Sequence, residues 1–189
     1  LTYFFKMIYV PSEDSFLLFE FVKKTVKEGM EVLDIGTGSG IQAEGAIENK
    51  GKVLAVDINE EAVEYCKKKG INAIQSDLFE NIKEKFDLII FNPPYLPEER
   101  DYFGIKMSKE DFNYVNDIAL VGGKHGWETM DRFFSKAKNY LKENGKLLVS
   151  FSNLSGNVLR IIEKYGFKYI LLGEKKIFFE SLYVYECFR

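Results

Sequence analysis

The chain has 189 residues, 46% of them hydrophobic, and a formal net charge of -3 from 26 basic and 29 acidic side chains. That suffices for one domain with a sizeable core, and the charge balance argues against strong autonomous binding to a nucleic-acid duplex. A single histidine, His125, and two cysteines without ligand spacing, Cys66 and Cys187, give no support to a metal site, a Ser-His-Asp triad or a disulfide framework; there is also no long apolar span or secretory pattern, so a soluble protein of the reducing cytoplasm, off the membrane, is expected.

Tyr3 to Val10 is aromatic and β-branched, a short strand or a covering segment. Pro11-Ser12-Glu13-Asp14 starts a strongly apolar helical extension at about 12–27, with acids at the positive end of its dipole. On local grounds Glu13 and Asp14 read first as caps. Glu31 to Gly36 is strand one, followed by Asp34-Ile35-Gly36-Thr37-Gly38-Ser39-Gly40 and a helix from about Ile41. Gly36, Gly38 and Gly40 permit positive φ and the close approach of a ligand. Lys52 to Asp57 is strand two and ends in an acid 23 residues after Asp34; Asn59-Glu60-Glu61 then opens a helix with Ala62, Val63 and Cys66 on one face. Ile71 to Ser76 is strand three, ending at Asp77-Leu78-Phe79.

Phe86 to Phe91 is a buried central strand, and Asn92-Pro93-Pro94-Tyr95 stands at its tip. The prolines stop the strand and bring carbonyl acceptors without N–H donors. An amide oxygen, a carbonyl oxygen and an aromatic ring suit a planar NH2 group: Asn92 and Pro93 hold its hydrogens while Tyr95 packs on its plane. The bland alternative is a proline turn with Asn92 serving local backbone.

Leu96 to Phe112 is charged and irregular, a loop whose position directly after a candidate catalytic strand tip reads as functional or mobile rather than structural. Gly122-Gly123 reads as a turn. Trp127, Met130, Phe133, Phe134, Ala137, Tyr140 and Leu141 form one helical core stripe. Strand five spans Gly145 to Phe151, and a helix from Ser155 to Tyr165 stops at Gly166. Phe167 to Gly173 and Ile177 to Phe188 close the sheet, with Lys175-Lys176 as the turn between them. Strands alternating with helices predict an α/β fold with a parallel sheet and right-handed crossovers, in one domain over 1–189.

A glycine turn after strand one and an acid after strand two indicate a ribose-bearing ligand at the sheet's C-terminal edge. The spacing is G-x-G-x-G and not the dinucleotide G-x-G-x-x-G, and no Walker lysine follows. S-adenosylmethionine, which has no pyrophosphate, fits better than NAD. Asp57 is expected to accept from the ribose hydroxyls, and Asp77 from the adenine amino group with the Leu78 backbone beside the ring. Asp34 is expected near the methionine ammonium. Asn92 borders both this pocket and the substrate.

On these residues the chain resembles the class I S-adenosylmethionine-dependent methyltransferases, and more narrowly the HemK-like release-factor glutamine methyltransferases of the archaeal and eukaryotic type. The resemblance also rests on Tyr9-Val10-Pro11-Ser12-Glu13-Asp14-Ser15 and on Gly122-Gly123-Lys124-His125-Gly126 followed by Met130-Asp131-Arg132-Phe133-Phe134. It implies a Rossmann-like, seven-stranded, mainly parallel sheet with the last strand antiparallel. It places Glu13 and Ser15 at the cofactor pocket. The implied reaction methylates the side-chain amide of the glutamine in the Gly-Gly-Gln loop of a translation termination factor. The resemblance further implies a small zinc-binding activator subunit, for which the apolar edge strand 71–75 is the expected dock. The rival readings are an RNA or DNA exocyclic-amine methyltransferase and a non-catalytic cofactor-binding subunit.

Overall fold

The structure, a computed structural model, describes residues 8–98, 100–102, 105–107, 119–178 and 180–189. Short, largely apolar runs make its central strands: β1 (Glu31–Ile35), closed by Gly36, β2 (Lys52–Asp57), ending in its acid, β3 (Ala73–Gln75), and β4 (Phe86–Phe91), closed by Asn92 and the prolines. With β9 (Leu141–Ser152), β10 (Lys168–Ile177) and β11 (Glu180–Phe188) they form a seven-stranded sheet in the order β10-β11-β9-β4-β1-β2-β3. All strands run parallel except β11, which is antiparallel to both of its neighbours. The Rossmann-like α/β expectation, reversed last strand included, agrees with this sheet.

Alternation along β4 explains why the sheet is covered on both sides. Leu88 and Ile90 face α1 (Glu13–Thr25), packing with Leu18, Val22 and Val26, while Ile89 and Phe91 face the opposite cluster. That second cluster is built on Met130, Phe133 and Phe134 of α4 (Glu128–Ala137) and Val158, Ile161 and Ile162 of α5 (Val158–Lys164). Between the flanking helices α2 (Ile41–Glu48) and α3 (Glu60–Lys68), Ala43, Val63 and Cys66 pack on Ala55 and Ala73. Cys66 and Cys187 are both free and buried.

Several boundaries differ from the sequence reading. Strand three begins at Ala73, because Ile71 turns in under the glycine turn and is only 4% exposed. Gly122-Gly123 is not a turn but part of β8 (Val121–Gly123), which pairs in parallel with β5 (Leu96–Pro97). The α-helix carrying the stripe ends at Ala137, a 3-10 turn (Lys138–Tyr140) still brings Tyr140 onto the core, and Leu141 already belongs to β9. Lys175 and Lys176 continue β10, and the hairpin reverses around Phe178 instead. The loop expected from Leu96 to Phe112 contains β5 and a hairpin of β6 (Arg100–Tyr102) and β7 (Ile105–Met107); its remainder after 107, and the expected covering segment before residue 8, lie outside the described residues.

Candidate active site

The C-terminal tips of β1, β2 and β4, and the chain just past β3, open into one cavity of about 530 Å³, bounded also by the start of α1 and by α4. The glycine turn forms its floor. Gly36, Gly38 and Gly40 have φ of 63, 50 and 83°, a region costly to residues with a side chain. A Cβ on Gly38 would meet the Gly36 carbonyl oxygen and Tyr9 Cβ at 3.9 Å, ordinary van der Waals contact, so the backbone conformation and not crowding asks for glycine there. Gly40 serves packing instead: a Cβ there would stand 2.8 Å from Ile71 Cδ1, and Gly40 is not in the cavity wall.

Asp34 also lies behind the wall. Its Oδ2 accepts from Thr37 Oγ1 at 2.6 Å and from the Ala43 backbone N–H at 3.2 Å, tying the turn to the first turn of α2. Burial pushes its carboxyl up to about 7 against the pull of those two hydrogen bonds. Asp57 is on the wall and accepts from the backbone N–H groups of Gly38 and Asn59, each at 2.9 Å. Burial raises its pKa as well, and the backbone donors oppose the rise. Asp77 lines the cavity and accepts from Arg132 Nη2 at 2.6 Å. Leu78 beside it is held at φ 51°, its carbonyl accepting from Ser76 Oγ at 3.0 Å.

The amide of Asn92 is held at both ends. Its Nδ2 donates to Asp14 Oδ2 at 3.0 Å and to Ser15 Oγ at 3.3 Å; its Oδ1 accepts from Ser150 Oγ on β9. Asp14 is itself held by the Tyr9 hydroxyl at 2.9 Å and the Ser15 N–H at 2.7 Å. Burial and the Asp14 charge raise the Tyr9 pKa, so its phenol stays protonated as a donor. Glu13 is not in this network: it is exposed and pairs with Lys175, and Asp14 occupies the cavity position expected of it. Successive residues of a helix point about 100° apart, so only one of the two acids can face inward. Ser15 does line the cavity.

Pro93, Pro94 and Tyr95 line the same cavity, and the double-glycine segment holds them there. A Cβ on Gly122 would stand 2.5 Å from the Pro94 carbonyl oxygen, and one on Gly126 would stand 2.6 Å from that of Tyr95. Only glycine permits this backbone-on-backbone contact. Thr129 Oγ1 closes the arrangement by donating to the Gly122 carbonyl at 3.2 Å.

Tyr9, Gln42, Ser150 and Arg132 join the site; Tyr9 and Arg132 stand in the segments that carry the resemblance, but none of the four has a role assigned from sequence. Ser150 left a trace, a hydroxyl inside the apolar run Leu147–Phe151. Gln42 left another, an amide near the start of a mostly apolar helix. Its Nε2 donates to the Ser15 carbonyl at 2.9 Å, and its Oε1 is buried without a donor beside the cavity. Arg132 left none.

Asp14 and Asp57, which line the cavity, take their hydrogen bonds from hydroxyls, an amide and backbone N–H groups, with no cation beside them among the described residues. A ligand with positive charge and several donors matches that set. S-adenosylmethionine has a sulfonium, an ammonium, a ribose diol and an adenine amino group, and the orphaned Gln42 oxygen suits it as well.

A family model described as a methyltransferase domain matches residues 26–176. A proposed protein N5-glutamine methyltransferase of Methanocaldococcus jannaschii is 38% identical, covering 96% of this chain and 92% of that protein. The release factor glutamine methyltransferase of Lactococcus lactis is 31% identical over 78% of this chain, which spans only 57% of that protein's length. Among solved structures, the Mtq2-Trm112 complex of E. cuniculi, which methylates the termination factor eRF1, superposes with a TM-score of 0.74 at 27% identity, covering 95% of this chain and 97% of its match.

Proposed function

The chain belongs to the methyltransferase-domain family, among the protein glutamine methyltransferases, and on that premise we propose that it methylates the side-chain amide nitrogen of a glutamine in the Gly-Gly-Gln loop of a translation termination factor. The cofactor is S-adenosylmethionine, which supplies a methyl group already activated on a sulfonium.

One observation carries this reading: the polarity of the Asn92 amide. A carboxylate only accepts hydrogen bonds, so Asp14 forces Nδ2 towards itself and Oδ1 away. Ser150 takes one lone pair of that oxygen, and the second remains for a substrate N–H. The Pro93 carbonyl accepts the other N–H, and the Tyr95 ring packs on the amide plane. Holding both hydrogens turns the nitrogen lone pair towards the methyl group. The bound cofactor would give its methyl group to that nitrogen and leave as the neutral thioether; the nitrogen would become acidic on alkylation, so its proton would pass to water without a strong base. The remaining proposed cofactor contacts are Asp57 to the ribose, Asp77 and Leu78 to the adenine, and Ser15, Gly36 and Gly38 along the methionine portion.

The decisive experiment offers labelled S-adenosylmethionine with a purified termination factor, its Gln→Ala variant, RNA and DNA in parallel. Label on the factor but not on its variant is the expected result; label on nucleic acid alone would replace this reading with a nucleobase methyltransferase.

For the partner we propose a small zinc-binding activator subunit at the free edge of β3. Support comes from the E. cuniculi neighbour, solved as a complex with Trm112, and from β3 being the terminal strand of the sheet. The edge is partly guarded, since the Gln75 carbonyl accepts from Asn81 Nδ2 at 2.9 Å. A cytoplasmic location is part of the same proposal, supported by the termination-factor substrate; among the described residues no helix is long and apolar enough to cross a membrane.

A further inference from the structure

We infer that Arg132 is a positioning residue for recognition of the cofactor's base, because with Asp77 it sets a hydrogen-bond acceptor beside a donor at the cavity wall. The inference rests on the reading that this cavity takes S-adenosylmethionine.

Asp77 follows β3 and Arg132 lies on α4, 55 residues later, yet Arg132 Nη2 and Asp77 Oδ2 stand 2.6 Å apart and both residues line the cavity. The bond engages one carboxylate oxygen and one of the five guanidinium N–H groups, so the pair keeps both an acceptor and donors to offer. Adenine carries an amino donor flanked by ring-nitrogen acceptors, which matches such a pair. A 6-oxopurine reverses the pattern, with an acceptor at the exocyclic position and a donor at N1, and mismatches it.

A purely structural ion pair is the competing explanation. Against it, α4 is already anchored by Met130, Phe133 and Phe134, none more than 1% exposed, while the side chains of Arg132 and Asp77 are 54% and 29% exposed. An ion pair that open adds little to holding a helix so well buried. It does restrain the Asp77 carboxylate, which otherwise turns freely towards water.

Calorimetry with S-adenosylhomocysteine and its 6-oxo counterpart, S-inosylhomocysteine, tests this on the wild type, Arg132→Gln and Arg132→Lys. The wild type should prefer the adenosyl ligand by at least about tenfold, since a mismatched edge leaves polar groups unpaired. Arg132→Gln should lose most of that ratio through weaker adenosyl binding, and Arg132→Lys should retain part of it. An unchanged ratio in Arg132→Gln, or an equal loss for both ligands, overturns the inference while leaving the cofactor reading intact. A wild type that binds neither ligand overturns both.

Discussion

Asp14 and Asn92 lie 78 residues apart in sequence and meet at 3.0 Å, the start of the first helix setting the orientation of an amide at the tip of the fourth strand. If that bond sets the catalytic geometry, Asn92→Ala should lower single-turnover methylation about 100-fold or more at saturating cofactor, as loss of an oriented catalytic hydrogen bond does. Asp14→Ala should lower it about tenfold or more, and the double variant should be no worse than Asn92→Ala alone, because the two act as a unit. Additive losses would separate their roles.

Asp57→Ala removes an acceptor expected to face the ribose. Hydrogen bonds to charged groups contribute about 1.5–3 kcal/mol, so the cofactor dissociation constant should rise roughly 10- to 150-fold by calorimetry. Unchanged affinity would take Asp57 out of the ligand site and leave it as a brace for Gly38.

Asp34 predicts a pH dependence of stability. Burial moves its carboxyl from the ordinary 3.8 to about 7. Between those values the native state keeps a proton that the unfolded chain releases, so this group lowers stability as pH rises through the window and levels off above it. Asp34→Asn removes the effect. Urea unfolding should show wild type and variant closest near the lower limit and the variant gaining with pH, by on the order of a few kcal/mol at the upper one. A gap that stays constant with pH would show that Asp34 titrates alike in both states.

The edge of β3 can be probed through its backbone. Ser76 donates its N–H to the Asp57 carbonyl at 2.9 Å, so alternation along the strand points the Gln75 N–H away from β2. Gln75→Pro removes that outward donor and spares the ladder to β2. Recovery of the activator complex should fall roughly tenfold, as expected when strand addition loses a main-chain bond, with thermal melting confirming the fold. Equal recovery from both proteins would move the interface elsewhere.

The sheet was legible because its central strands are apolar runs that end in Asp34-Ile35-Gly36, Asp57, Asp77 and Asn92, and the glycine turn announced the cavity floor. Contacts between distant segments were not legible. Ser150 and Arg132 reach the site by strand order and helix packing, and neither periodicity nor spacing encodes those. Glu13 was misplaced by a single step in the phase of a helix start, which exchanges the inward and outward acids. The turn expected at Lys175-Lys176 failed because both lysines stay in register with β11, Lys175 opposite Leu182 and Lys176 opposite Ser181, and the reversal falls around Phe178, a bulky residue at φ 50° that no turn preference would select.

The pairing of β5 with β8, sealed by Gly122 and Gly126 against the Pro94 and Tyr95 carbonyls, has an evolutionary consequence. It holds Pro94 and Tyr95 by backbone packed on backbone, so neighbouring side chains can drift in sequence without dragging the catalytic strand tip out of place. Loss of either glycine is the change that such drift cannot absorb, which makes these two positions the slowest to vary around the reacting centre.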